Sequence, residues 1–166
     1  MITFTRADGY ELCTDPDRID VERVHRWLST DSYWARDRPY AVTARAIASS
    51  MVFGVYRPGD GIQVAFARVV TDRATFAWLS DVFVDPAERG RGLGGWLAAT
   101  ARDAVTELGV YRMLLATDDA HGVYAKVGFS SPSKPQNLME LMRPQPWVTP
   151  VTDKEHFPDP PLTVAE

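Results

Sequence analysis

The chain has one cysteine, Cys13, so it can form no internal disulfide and no cysteine-based metal site. A lone cysteine on a strand is read as a small apolar filler. No apolar run approaches the ~20 residues that a membrane span needs. Arg6 and Asp8 interrupt the N-terminus before a signal-like apolar segment builds up. The expectation is a soluble, cytoplasmic protein with no membrane partner and no metal. The net charge is only −4, so the basic footprint of a nucleic-acid binder is missing. What the 166 residues do hold is 45% hydrophobic and 11% aromatic content, enough for one domain with one core.

Residues 2–6 and 10–14 flank Asp8-Gly9 as a β-hairpin. In 20–29, Val21, Val24, Trp27 and Leu28 fall at helical spacing, with Asp17 or Asp20 as the cap. Residues 43–50 read as a second short helix. Strands at 51–57, 62–71 and 74–84 form an antiparallel meander, turning at Pro58-Gly59-Asp60-Gly61 and near Asp72-Arg73. Further on, Leu93, Trp96, Leu97, Thr100, Ala101, Ala104, Val105 and Leu108 share one helix face, and Gly109 ends that helix. A short buried strand at 112–116, a short helix at 120–126 and a last strand at 137–142 complete the pattern. The order predicts an α+β fold with one parallel crossover. Its central sheet is mixed, mostly antiparallel, with helices on both faces. The domain runs over 1–143. Residues 144–166 hold six of the twelve prolines and no periodicity, and form a Pro-rich C-terminal tail.

The most informative stretch is 82–95, Val-Phe-Val-Asp-Pro-Ala-Glu-Arg-Gly-Arg-Gly-Leu-Gly-Gly. An apolar strand is followed by a Pro-broken loop, then by Gly90, Gly92, Gly94 and Gly95, then by a helix. Little side-chain bulk and a helix N-terminus make a cradle for a phosphate. Gly90, Gly92 and Gly95 formally satisfy a dinucleotide fingerprint. That motif, however, belongs in the first βα turn directly after its strand, and here five residues intervene. A P-loop is excluded, because no Gly-Lys-Ser/Thr follows. Read as Arg89-x-x-Gly92-x-Gly94, the segment resembles the pyrophosphate-binding motif of the GNAT superfamily, the acetyl-CoA-dependent N-acetyltransferases. Tyr124-Ala125-Lys126-Val127-Gly128-Phe129 is similar to that family's Tyr-x-x-x-Gly-Phe motif. The two occur in the family's order with a strand between them. The resemblance is sharp over 74–142 and architectural before that.

The resemblance implies a GNAT-like acyl-CoA N-acyltransferase fold, with acetyl-CoA as co-substrate and a small-molecule amine as acceptor, attacked directly in a ternary complex. A slightly acidic protein suits a cationic amine. The grip on the pyrophosphate falls to the backbone N–H groups of Arg91, Gly92, Leu93, Gly94 and Gly95, with charge from Arg89 and Arg91. The main chain of Val82, Phe83 and Val84 would bind the pantetheine arm, and Val82 or Val84 would donate to the acetyl carbonyl. Tyr124 matches the acid that faces the leaving thiolate. A phenol stays protonated at neutral pH, although a core tyrosine is the alternative. Gly128 and Phe129 are structural. Asp81 is the best candidate for the amine's base or a substrate contact, against a structural ion pair. Strand alternation puts it with Leu79 and Phe83. His121 is second. Where the family often carries an Asn, this chain has Thr117, and Asp118 or Asp119 is expected to cap the short helix. Trp27, Tyr33, Trp34, Tyr40, Phe53 and Trp78 form an aromatic set, either core or acceptor-binding, with Tyr33, Trp34 and Trp78 favoured for the acceptor. Arg36 and Arg38 are candidates for holding an acceptor carboxylate. By analogy a homodimer is expected. A non-catalytic acyl-CoA-binding module of the same fold is the alternative function, and a nucleotide-binding protein of another fold comes third.

Overall fold

Asp8-Gly9 turns the chain between two short strands, with Gly9 at a φ of 87° that favours glycine. β1 (Thr3–Thr5) pairs antiparallel with β2 (Glu11–Cys13), and β2 pairs with β3 (Met51–Tyr56). β4 (Gln63–Thr71) and β5 (Phe76–Val84) complete the expected meander. The turn into β5 is held by Asp72, whose Oδ1 accepts from the N–H groups of Ala74, Thr75 and Phe76. In this computed structural model, residues 2–145 and 147 are described. Apart from positions 144, 145 and 147, the tail expected at 144–166 lies outside them.

Two helices cover one face of the sheet. Asp20 caps α1 (Val21–Arg26), accepting from the Arg23 N–H at 2.9 Å. Asp17 is not the cap. α1 runs into a π turn over Trp27–Asp31, and α2 follows over Tyr40–Ala48. α2 starts earlier than the 43–50 pattern predicts, because Pro39 stands at its N-cap, where a missing N–H costs nothing. α3 (Leu93–Glu107) covers the other face, burying Leu93, Leu97, Ala98, Ala101 and Val105. Each of its larger apolar side chains contributes roughly 1.5–3 kcal/mol. Gly109, at φ 82°, ends α3 as predicted. The core splits accordingly. Leu12, Phe53, Val55, Val69 and Leu79 pack with α3, and Val52, Phe66 and Phe83 pack with Val24, Leu28 and Ile47.

The sheet order is β1-β2-β3-β4-β5-β6, antiparallel except for the last pair. β6 (Arg112–Leu114) runs parallel to β5 but meets it only from Phe76 to Trp78. From Leu79 onward the two strands part, and that edge of β5 is open. α4 (His121–Ala125) follows β6. The strand predicted at 137–142 is not formed. A 3-10 turn at Pro135–Asn137 leads into an unpaired stretch in which Met139 is 99% exposed. Its apolar residues satisfied a strand pattern, but the segment does not pair with the outer edge of β6, where the sheet ends.

A second departure lies inside β5. Arg68 pairs with Ser80 and Phe66 with Phe83, so Ala67 alone stands opposite Asp81 and Val82. This is a β-bulge, and Asp81 sits in it at φ 51°. The extra residue shifts the alternation. Leu79 faces α3, whereas Phe83 faces α1 and α2. The predicted grouping of Asp81 with both is therefore corrected.

Candidate functional site

The parting of β5 and β6 opens a cleft of about 810 Å3. Its walls are Leu79, Ser80, Asp81, Val82, Phe83 and Val84 of β5, the glycine loop with the start of α3, and the segment from Ala116 to Val127. Tyr33 and Trp34 close one end.

The glycine end is built from main chain. Gly90 and Gly92 adopt φ of 79° and 74°, and Gly92 is the N-cap of α3 without a side-chain cap. The first helical bond runs from the Trp96 N–H to the Gly92 carbonyl at 3.0 Å. The N–H groups of Gly92, Leu93, Gly94 and Gly95, at the N-cap and the first three helical positions, therefore have no acceptor among the described residues. A Cβ added at Gly90, Gly92 or Gly95 would meet nothing within 4 Å. The loop thus keeps open space beside unmet donors at the positive end of a helix, which suits an anion.

The arginines divide. Arg89 lines the cleft, with Nε donating to the Val84 carbonyl at 3.2 Å and its guanidinium 5.5 Å from the Phe83 ring. The Arg91 side chain is tied to Glu88 instead, at 3.1 Å, and does not line the cleft. Glu88 was not legible as a site residue. It is 5% exposed, and it accepts from the Tyr10 hydroxyl and pairs with Arg57 and Arg91. The Tyr10 bond, with the two guanidiniums, holds its carboxyl below the ordinary range. Arg6 adds a tie at 3.2 Å to the Arg91 carbonyl. These contacts brace the loop against β2 and β3. No short motif in the sequence signals them, since the partners lie far apart in the chain.

Along β5, the Asp85 N–H bonds Val64 on β4. Antiparallel alternation then turns the main-chain groups of Val84 and Val82 to the open edge and those of Phe83 toward β4. The carbonyl that Arg89 reaches is on that edge. The Val82 and Val84 side chains pack toward α3.

Tyr124 lines the middle of the cleft, half-buried, and its ring meets Phe129 edge-on at 6.0 Å. Its hydroxyl has no hydrogen-bond partner among the described residues. Burial, with the neighbouring Tyr33 and Asp119, pushes the phenol up to about 12. Gly128 turns at φ 96°, as a structural glycine should. Thr117 lines the cleft and accepts from the Ala120 N–H at 3.0 Å. Ala120 is itself the N-cap of α4, which has no side-chain cap bond, so neither Asp118 nor Asp119 caps it as predicted. The Asp118 N–H instead donates to the Tyr33 hydroxyl at 3.0 Å.

At the end away from the glycine loop, Tyr33, Trp34 and Trp78 line the cleft, and Tyr33 meets Trp34 edge-on at 4.9 Å. Trp27 and Phe53 are core, with Trp27 stacked on Phe83. Tyr40 packs against His25 outside the cleft. His121 and Arg36 are exposed and do not line it. Asp31 and Asp119, exposed carboxylates missed by the sequence reading, do. Asp81 is 5% exposed and engaged in an ion pair with Arg38 at 2.8 Å and Arg68 at 2.7 Å. Burial pushes its carboxyl up, but the bonds and charges of the two arginines outweigh this and hold it below the usual range. Among the described residues no group of His, Cys, Asp and Glu is placed to hold a metal, and no helix is long and apolar enough to cross a membrane.

Known proteins resemble this chain. A model of the Acetyltransferase (GNAT) family matches residues 21–129. A Gibberella zeae protein, FG08082, named by inference as an acetyltransferase, is 34% identical over 137 residues, 71% of this chain and 77% of that one. A crystal structure from Xanthomonas campestris pv. campestris, assigned to the same family, is 46% identical with a TM-score of 0.78, covering 85% of this chain and 98% of that one. Glucosamine-6-phosphate N-acetyltransferase from Arabidopsis thaliana has a TM-score of 0.60 over 81% of this chain and 97% of its own, and at 16% identity it shares the fold alone. With the splayed strands, the glycine loop and the family match in agreement, the chain belongs to the GNAT acetyltransferase family.

Proposed function

We propose that the protein is an N-acetyltransferase that moves the acetyl group of acetyl-CoA to a primary amine of a small molecule, by direct attack in a ternary complex. The observation that carries this reading is the run of four unmet N–H groups, from Gly92 to Gly95, in a cleft that also exposes an open strand edge. Pyrophosphate would be held by the N–H groups of Gly92, Leu93, Gly94 and Gly95 with Arg89 beside them, and the pantetheine amides by the open edge at Val82 and Val84. Acetyl-CoA supplies the activated acyl group. The N–H of Val82 or Val84 polarises the acyl carbonyl and stabilises the negative oxygen that forms on attack. The amine attacks in its neutral form, its ammonium proton given up to solvent, and the C–N bond forms as the C–S bond breaks. The Tyr124 hydroxyl, free of other partners, donates to the departing sulfur and regains a proton from the nitrogen as the amide forms. An upward-shifted phenol keeps that proton throughout the neutral range. At the far end, Tyr33, Trp34 and Trp78 offer ring faces to a cationic amine, with Asp31 and Asp119 nearby. The test is transfer itself. The protein is incubated with acetyl-CoA and a panel of primary amines, and the acetylated product is read by mass spectrometry with free thiol released in equal amount. Acetyl-CoA binding with no product from any amine would instead favour a non-catalytic acyl-CoA-binding module.

A further inference from the structure

Asp81 is a carboxylate with nothing left to give. Oδ1 accepts from Trp34 Nε1 at 3.2 Å and Arg38 Nη2 at 3.3 Å, and Oδ2 from Arg38 Nη1 at 2.8 Å and Arg68 Nε at 2.7 Å. Four donors fill the roughly four lone-pair sites of an ionised carboxylate. No site is left for the proton of an attacking amine. The donors come from two places. Trp34 and Arg38 lie on the loop between α1 and α2, and Arg68 lies on β4. Arg68 also bonds Ser50 Oγ at 3.3 Å, just past α2, and Ser80 Oγ at 3.0 Å on β5. The bulge turns Asp81 toward that loop, at a φ that aspartate tolerates better than most residues.

The loop continues into the cleft. Trp34 supports Tyr33 edge-on, and the Tyr33 hydroxyl takes the Asp118 N–H on the opposite wall, at the start of the segment that carries Tyr124. We infer that Asp81 is a positioning residue that anchors the loop of residues 33–38 as the acceptor-side wall, setting how the amine is held and not removing its proton. This rests on the acetyltransferase reading above and deepens it. Arg38, expected as a candidate grip for an acceptor carboxylate, is on this account committed to the anchor.

The test uses the full chain as wild type, Asp81→Asn and Trp34→Phe. Asparagine keeps the size and tolerates the left-handed backbone, so the first variant removes the charge. Trp34→Phe removes one donor and keeps a ring, and it stands in where Asp81→Asn fails to fold. Hydrogen exchange reads the amides of Ala35, Asp37 and Arg38, which are bonded to Ser32 Oγ, the Ser29 carbonyl and the Ala35 carbonyl. They are expected to exchange about tenfold faster in Asp81→Asn and measurably faster in Trp34→Phe, with α3 unchanged. Acetyl-CoA affinity by calorimetry should stay within about twofold, and with 2-phenylethylamine as acceptor KM should rise about tenfold at unchanged kcat and unchanged acidic limb of the pH profile. Unchanged loop exchange in both variants overturns the inference. So does a kcat loss of about 100-fold or more with KM unchanged and the acidic limb gone, the signature of a base. Failure of wild type to bind acetyl-CoA is a separate result. It would strike the acetyltransferase reading, while the exchange data would still decide whether Asp81 anchors the loop.

Discussion

The two ends of the cleft are made of different material. The glycine end presents main-chain N–H groups and an open strand edge, whose positions follow from the backbone alone. The acceptor end presents side chains, Tyr33, Trp34 and Trp78, held by a network centred on Asp81. A backbone-built site tolerates exchange of side chains around it but not a change of backbone conformation. A site built from side chains behaves in the opposite way. On the proposed function, the first end holds a fixed co-substrate, and the second is where one family member would differ from another in acceptor.

Gly92→Val puts the largest strain on that contrast. At φ 74° a β-branched residue is strongly disfavoured, and its side chain would enter the open space beside the loop. Acetyl-CoA affinity should fall on the order of 100-fold, about 2.7 kcal/mol, by calorimetry, with little change in the circular dichroism of the fold. Tyr124→Phe tests the chemistry between the two ends. Turnover should fall about 100-fold with acetyl-CoA affinity within twofold. Because the phenol is pushed up to about 12, the wild-type rate profile should show no falling limb from Tyr124 up to about pH 10.

The acceptor end has a signature in acid. The folded Asp81 carboxyl lies below its unfolded value, so the stability it lends is present above about pH 3.9 and is lost as pH falls through the lowered folded value. The urea midpoint of wild type should drop below pH 4, and drop less in Asp81→Asn. Gly95→Ala is the smallest change and the sharpest in sign. Alanine is favoured over glycine in a helix by up to about 1 kcal/mol, so the melting temperature should rise. The added methyl meets open space in the cleft, so acetyl-CoA affinity should fall severalfold.

The same contrast explains what the sequence revealed. Gly90, Gly92, Gly94 and Gly95 announced a backbone site because glycine is the residue such a site demands, and Tyr124 was carried by the motif ending in Gly128-Phe129. The meander, the α3 face except Leu108, which lies exposed just past the helix, and the Gly109 stop were legible from period and turn chemistry. The bulge at Asp81 was not, because a one-residue register shift leaves no mark on an apolar strand and yet reverses which residues share a face. Nor were the partners of Glu88 or Asp81, which reach across from Tyr10, Arg57, Arg38 and Arg68. The 137–142 segment shows the converse failure. Its local pattern fits a strand, but a strand forms only by pairing, and this segment does not pair with the open edge of β6.

Calorimetric titration of wild type and Gly92→Val with acetyl-CoA, beside NAD, tests the central claim most directly. The account predicts one acetyl-CoA site in wild type, its loss or severe weakening in Gly92→Val, and no NAD binding in either. NAD binding without acetyl-CoA binding, or acetyl-CoA binding that Gly92→Val leaves intact, would contradict it.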